Sequence, residues 1–329
     1  MDEAERLRQT VPPAPGPSPR LDRPRRRGEA LGRLGGTADW GQLREVQAGG
    51  LSWRLRVGGD PAAPPLLLLH GFGWDARVWA PLLPALDLAW SVWAVDLPGH
   101  GGTQPPVPVA EWELGRAASA LGSLLDDLGI PSPTVLGYSL GGRLALHLAL
   151  QRPLAGLLLV GASPGLDEPE ARATREAADA RWADLLRQGA SDFWQAWDAQ
   201  PVFATRRGGE GGLSPGAREI RLSQAPESLA AAMEAFGLGR MAPLSGRLGQ
   251  LSVPTIALAG QWDAKFQAHA ETFARAIPLA EARVAPGAGH DVPNEAPEAL
   301  VQALVALAAR ASTQPSEPRI PLPRKGVHP

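Results

Sequence analysis

The chain has no cysteine among its 329 residues. That absence removes disulfides, thiolate nucleophiles and cysteine-bound metals together. Neither sign of charge dominates, since 32 lysines and arginines against 34 aspartates and glutamates give a formal net charge of −2. Nothing global therefore points to nucleic acid or to an anionic membrane, and substrate charge has to be sought locally. Long apolar runs are missing as well. Pro64-Pro-Leu-Leu-Leu-Leu-His70 is too short to span a bilayer, so no stable membrane insertion is expected. The opening segment has no apolar stretch that could serve as a signal-peptide core, which points to the cytoplasm.

Cofactor signatures are also wanting. The histidines never fall into a His-x-x-x-His pattern, and the glycine turns at Gly71 and at 137–142 lack dinucleotide-binding spacing. Gly208-Gly-Glu-Gly-Gly212 lacks the lysine and the strand-to-helix setting of a phosphate loop and reads as a flexible connection. No metal and no cofactor is expected. No internal repeat is visible, and no feature sets an oligomeric state.

What is present is a chain 44% hydrophobic, long enough for one large core. Short apolar runs at 51–57, 66–69, 91–95, 134–138, 156–160, 255–259 and 282–285 read as strands. Helix-compatible segments at 116–128 and 142–151 fall between them. The alternation predicts a mostly parallel α/β sheet, with functional groups in loops at the carboxyl ends of its strands. It breaks between 164 and 249, where alanine-rich, charged and aromatic segments predict a helical cap inserted between two core strands. The expected organisation is a disordered extension at 1–45, core at 46–163, cap at 164–249, core again at 250–310 and a disordered, proline-rich tail at 311–329.

Gly137-Tyr-Ser-Leu-Gly141 sits between a strand and a helix-compatible run. Glycines flanking Ser139 relieve the crowding of a sharp turn that holds a serine out of the core. A serine that handles protons needs a base. His290 follows the last predicted strand and Asp263 the one before it. The order Ser139, Asp263, His290 is that of an α/β-hydrolase triad, with Asp96 a competing acid out of order. Leu140 and Phe72 are candidates for backbone oxyanion donors. His70 and His100 fit as organisers of turns. Arg143, about one helical turn beyond Ser139, could hold a carboxylate or cover a nearby polar surface. Arg175 and Arg221 in the cap admit the same substrate role or a solvated helix face, and Trp197 could close over a ring or pack the cap.

Several motifs carry a resemblance over about residues 66–307. They are Leu69-His-Gly-Phe72, Asp96-Leu-Pro-Gly-His-Gly101, Gly137-Tyr-Ser-Leu-Gly-Gly-Arg143 and Ala162-Ser-Pro-Gly-Leu166, then Trp197-Asp-Ala-Gln-Pro-Val-Phe203, Asp263-Ala-Lys-Phe266 and Gly287-Ala-Gly-His290. In these the chain resembles the MenH family, the 2-succinyl-6-hydroxy-2,4-cyclohexadiene-1-carboxylate synthases of menaquinone biosynthesis, within the α/β-hydrolase superfamily. The resemblance implies a lyase that eliminates pyruvate from a multiply anionic menaquinone precursor. It implies Ser139, Asp263 and His290 as the triad. Arg143, Arg175, Arg221, Trp197 and Tyr138 become substrate-binding residues, with Arg218 a competing register for Arg221. An ordinary carboxylester or thioester hydrolase and a noncatalytic α/β-hydrolase scaffold that binds a small anion or a protein are the alternatives.

Overall fold

The computed structural model describes residues 40–86, 89–105, 107–208 and 212–312. Residues 1–39 of the expected extension, the tail from 313 and the middle of the glycine-rich connection lie outside the described residues.

An eight-stranded sheet runs in the order β1-β2-β4-β3-β5-β6-β7-β8. Its strands are β1 (Gln42–Ala48), β2 (Leu51–Gly59), β3 (Pro65–Leu69), β4 (Ser91–Val95), β5 (Thr134–Tyr138), β6 (Gly156–Val160), β7 (Thr255–Gly260) and β8 (Ala280–Ala285). β1 and β2 are antiparallel to their neighbours, and every pairing from β4 to β8 is parallel. The helices used below are α1 (Leu114–Asp127), α2 (Leu140–Ala149), α3 (Pro169–Gln188), α4 (Ala190–Asp198), α5 (Pro215–Leu222), α6 (Pro226–Phe236), α7 (Ala264–Ala276) and α8 (Pro297–Ser312).

The central strands are continuous apolar runs because both faces of the sheet are covered. Alternation of side chains sends Leu67 and Leu69 to the face packed by Leu121 of α1, Leu144 of α2 and Phe273 of α7. Leu66 and Leu68 face the other way, toward Trp79 and the α8 residues Leu300 and Leu304. Each of these four leucines is essentially inaccessible, worth about 1.5–3 kcal/mol apiece relative to exposure. β2, near the edge, alternates instead, with Leu51, Trp53 and Leu55 buried and their neighbours half-exposed.

The structure moves the start of the core. β1 begins at Gln42, inside the segment expected to be a disordered extension to residue 45, and Trp40 is already buried, its indole N–H donating to the Ala76 carbonyl at 3.3 Å. The sequence Gln-Leu-Arg-Glu-Val-Gln-Ala hides this strand, because its side chains are mostly exposed and it is held by its ladder with β2. Between β6 and β7 the chain runs through α3, α4, α5 and α6, over the carboxyl ends that carry the site. No described helix is long and apolar enough to cross a membrane.

Candidate active site

The β5–α2 turn is the one place among the described residues where a non-glycine residue has a positive φ. Ser139 is held at φ 52°, ψ −106°. Such a conformation costs about 1–3 kcal/mol, and the surroundings over-determine it. The Ser139 N–H donates to the Val160 carbonyl at 2.8 Å, and its carbonyl accepts from Arg143 N–H at 3.1 Å. A β-carbon on Gly137 would meet the Gly141 carbonyl oxygen at 2.5 Å, while one on Gly141 would strike the Leu69 and His70 carbonyls. Both glycines are therefore spatial requirements of the turn.

Two loops bring the expected partners to this serine. His290, after β8, points Nε2 at Ser139 Oγ at 3.2 Å and Nδ1 at Asp263 Oδ2 at 2.8 Å. Asp263 caps α7, its other oxygen accepting from the Phe266 N–H at 3.3 Å. A carboxylate on Nδ1 calls for the N–H there, which leaves the Nε2 lone pair toward the serine hydroxyl. The Phe266 ring, 4.4 Å from the imidazole between centroids, limits where that imidazole can turn. A hydroxyl on an oriented imidazole can attack a carbonyl or take a proton from carbon, and the three residues alone do not choose between the two.

Asp96, the competing acid, has other work. Its carboxylate accepts from the Ala76 and Gly102 N–H groups, each at 2.9 Å, and so ties two loops together. Burial and then the neighbouring Asp75 charge push its pKa up to about 6. His70 organises its turn, donating from Nδ1 to the Gly71 carbonyl at 2.8 Å and accepting the Leu97 N–H on Nε2 at 2.9 Å. Burial lowers its pKa to about 4, which keeps it neutral in that role.

Ser139 and His290 open onto a cavity of about 450 Å³ whose walls include Phe72, Leu140, Arg143, Arg175, Trp197, Phe203 and Lys265. Leu140 is the first residue of α2, where amides have no intrahelical acceptor. Arg143 is half-buried and donates from Nη1 to the Phe236 carbonyl at 2.8 Å, using one of five N–H donors. Burial, and then the cation of Arg175, lower its pKa to about 10, so it remains charged at neutral pH. Arg175 donates from Nε to Asp179 at 2.7 Å, and buried Asp179 is itself held by the Gly239 N–H at 3.2 Å. Trp197 stacks on Phe193 at 5.3 Å and tilts against Phe72 at 5.3 Å, so it both packs the helical layer and walls the cavity.

Two expected substrate contacts depart from the expectation. Arg221 does not line this cavity. It is 3% exposed, ion-paired with Asp198 at 2.6 Å, and sandwiched between the rings of Trp74 and Trp194 at 4.7 and 4.6 Å. A guanidinium stacked on two indoles and paired with a carboxylate is a fastener between α5, α4 and the loop after β3. Tyr138 is not a wall either. It lies buried behind the site, its ring 5.6 Å from that of His290 and its hydroxyl donating to Asp291 Oδ1 at 3.4 Å. Of the seven wall residues named above, Phe203 and Lys265 have no role in the sequence analysis. Lys265 was within reach of it, because Asp263 as a helix cap puts the residue two positions on in the first turn of α7.

Residues 66–303 match the Alpha/beta hydrolase family. The chain belongs to that family, and its kinship within it is with the 2-succinyl-6-hydroxy-2,4-cyclohexadiene-1-carboxylate synthases. The synthase of Salmonella paratyphi C is 36% identical over 256 residues, covering 75% of this chain and 94% of that one. The solved MenH of S. aureus superposes with a TM-score of 0.74 at 29% identity, over 79% of this chain and 99% of its own. A thermophilic esterase from Thermogutta terrifontis, solved with malate bound, follows at a TM-score of 0.66 and 28% identity, over 83% of this chain and all of its own.

Proposed function

We propose that this enzyme is a carbon–oxygen lyase of menaquinone biosynthesis. It eliminates pyruvate from 2-succinyl-5-enolpyruvyl-6-hydroxy-3-cyclohexene-1-carboxylate and leaves 2-succinyl-6-hydroxy-2,4-cyclohexadiene-1-carboxylate. One observation carries the reading beyond a generic serine hydrolase: Arg143 and Arg175 line the same cavity as Ser139 and His290. Two guanidiniums beside the serine suit a substrate with three carboxylates far better than a neutral acyl group. The kinship with synthases of this name supports the same choice.

The structures of substrate and product fix the bond changes. A proton leaves C2, next to the succinyl ketone; the ring double bond moves to C2–C3, a second forms at C4–C5, and the C5–O bond breaks. Ser139 Oγ removes the C2 proton as its own proton passes to His290 Nε2, and Asp263 steadies the imidazolium. That proton then returns to the departing enolpyruvate, which becomes pyruvate. No acyl-serine forms. Charge developing on the succinyl carbonyl oxygen would be met by the Leu140 and Phe72 amides. Arg143 and Arg175 hold carboxylates, Trp197 covers the ring, and the α3–α6 layer acts as a cap that excludes water. A small anionic precursor suits a cytoplasmic enzyme.

Purified enzyme given this substrate is expected to release pyruvate and the conjugated diene one for one, faster than spontaneous decay. Failure to accelerate either product rejects the lyase reading. Efficient turnover of simple esters in its place would favour the hydrolase alternative, which the likeness to the Thermogutta esterase keeps in view.

A further inference from the structure

The cavity holds one more cation than the guanidiniums of Arg143 and Arg175. Lys265 is exposed at its rim, in the first turn of α7, two residues from Asp263. Arg143 is anchored on the Phe236 carbonyl, Arg175 is aimed by Asp179 and Arg221 is consumed by Asp198. Lys265 differs from all three. Among the described residues its ammonium makes no ion pair, and Asp263, the nearest carboxylate in sequence, is bonded to His290. Burial and then the charge of Arg175 lower its pKa, with Asp263 opposing. Lys265 is thus a cation that shares the cavity wall with Arg143 and Arg175 and has no ion-pair partner among the described residues, so an anion bound in the cavity is its natural counter-charge.

Resting on the lyase reading, we infer that Lys265 is the specificity-determining residue that binds the terminal carboxylate of the substrate's succinyl arm. The ring carboxylate sits directly on the ring and the enolpyruvyl carboxylate only a few bonds from it. With C2 against Ser139, these two fall to the deeper, rigid guanidiniums. The succinyl carboxylate ends the longest and most flexible arm, the one that reaches the rim. A lysine on a four-carbon stem follows a moving carboxylate, whereas a fixed fork suits the two held close to the reacting bonds. Three cations then match three carboxylates, with Lys265 standing where Arg221 was expected. Because that carboxylate is remote from the bonds that change, its contact contributes equally to ground and transition states.

The test is a two-by-two comparison of the wild type and Lys265→Met, each on the natural substrate and on an analogue whose succinyl carboxylate is a carboxamide. Lys265→Met is expected to raise KM for the natural substrate about tenfold with kcat within about twofold, and Lys265→Arg to recover most of that loss. On the carboxamide the wild type should be as poor as the variant, and the variant should not distinguish the two substrates. An unchanged KM in Lys265→Met, or a variant that still discriminates as strongly as the wild type, overturns the assignment of Lys265. If the wild type itself releases no pyruvate from the natural substrate, the lyase reading falls and this inference with it, so the two failures are told apart in one experiment. Equal melting temperatures for variant and wild type exclude a folding defect.

Discussion

Ser139→Ala is expected to lower kcat for pyruvate release by about 10²–10⁴-fold, the range over which a positioned proton-transfer group contributes, with KM little changed. The Ser139 hydroxyl meets His290 Nε2 and opens onto the cavity. Alanine keeps the turn but inherits its strained φ of 52°, so its stability should stay close to that of the wild type. Ser139→Gly should be equally inactive yet more stable, since glycine adopts that φ without penalty. Steady-state kinetics and thermal melts on the two variants check both halves. Activity in Ser139→Ala within tenfold of the wild type would remove Ser139 from the chemistry.

Arg143→Met is expected to cost about 10²–10³-fold in kcat/KM, in line with the 2–5 kcal/mol lost when one partner of a desolvated charged contact is truncated. The side chain is half-buried one turn after Ser139, and its tie to the Phe236 carbonyl fixes the fork before substrate arrives. Lysine should not rescue it. An ammonium at that position cannot both bond the carbonyl and present a planar pair of donors. Kinetics on the enolpyruvyl substrate alongside a neutral ester read the effect. A similar loss on both would mean that Arg143 supports the turn and does not recognise an anion.

The parts of the site that the sequence makes legible are those set by local pattern. β3, β5, β6 and β7 are unbroken apolar runs, so the loops that follow them, with Ser139 and Asp263, can be placed at one sheet edge from the pattern alone. His290 follows a more exposed strand, yet its glycine-rich turn and its order after Asp263 single it out. β1 escapes notice because a polar, exposed edge strand has no hydrophobic signal. Tyr138 could have been assigned correctly. Strand alternation puts it on the same side as Leu136, in the core behind the sheet, and its adjacency to Ser139 misleads. Arg221 could not, since its role depends on Trp74 and Trp194, far from it in sequence and brought together only by folding. The Phe236 carbonyl that anchors Arg143 is a backbone atom and leaves no mark in the residue pattern.

The central claim is that Ser139 removes a proton from carbon and does not form an ester. Deuterium at C2 of the substrate tests it most directly, in single turnovers where bond breaking and not product release is read. A normal primary isotope effect on formation of both the diene and pyruvate is the expected result. Equal rates for the deuterated and ordinary substrates would contradict the account, because they would put cleavage of that C–H bond outside the step that Ser139 and His290 catalyse.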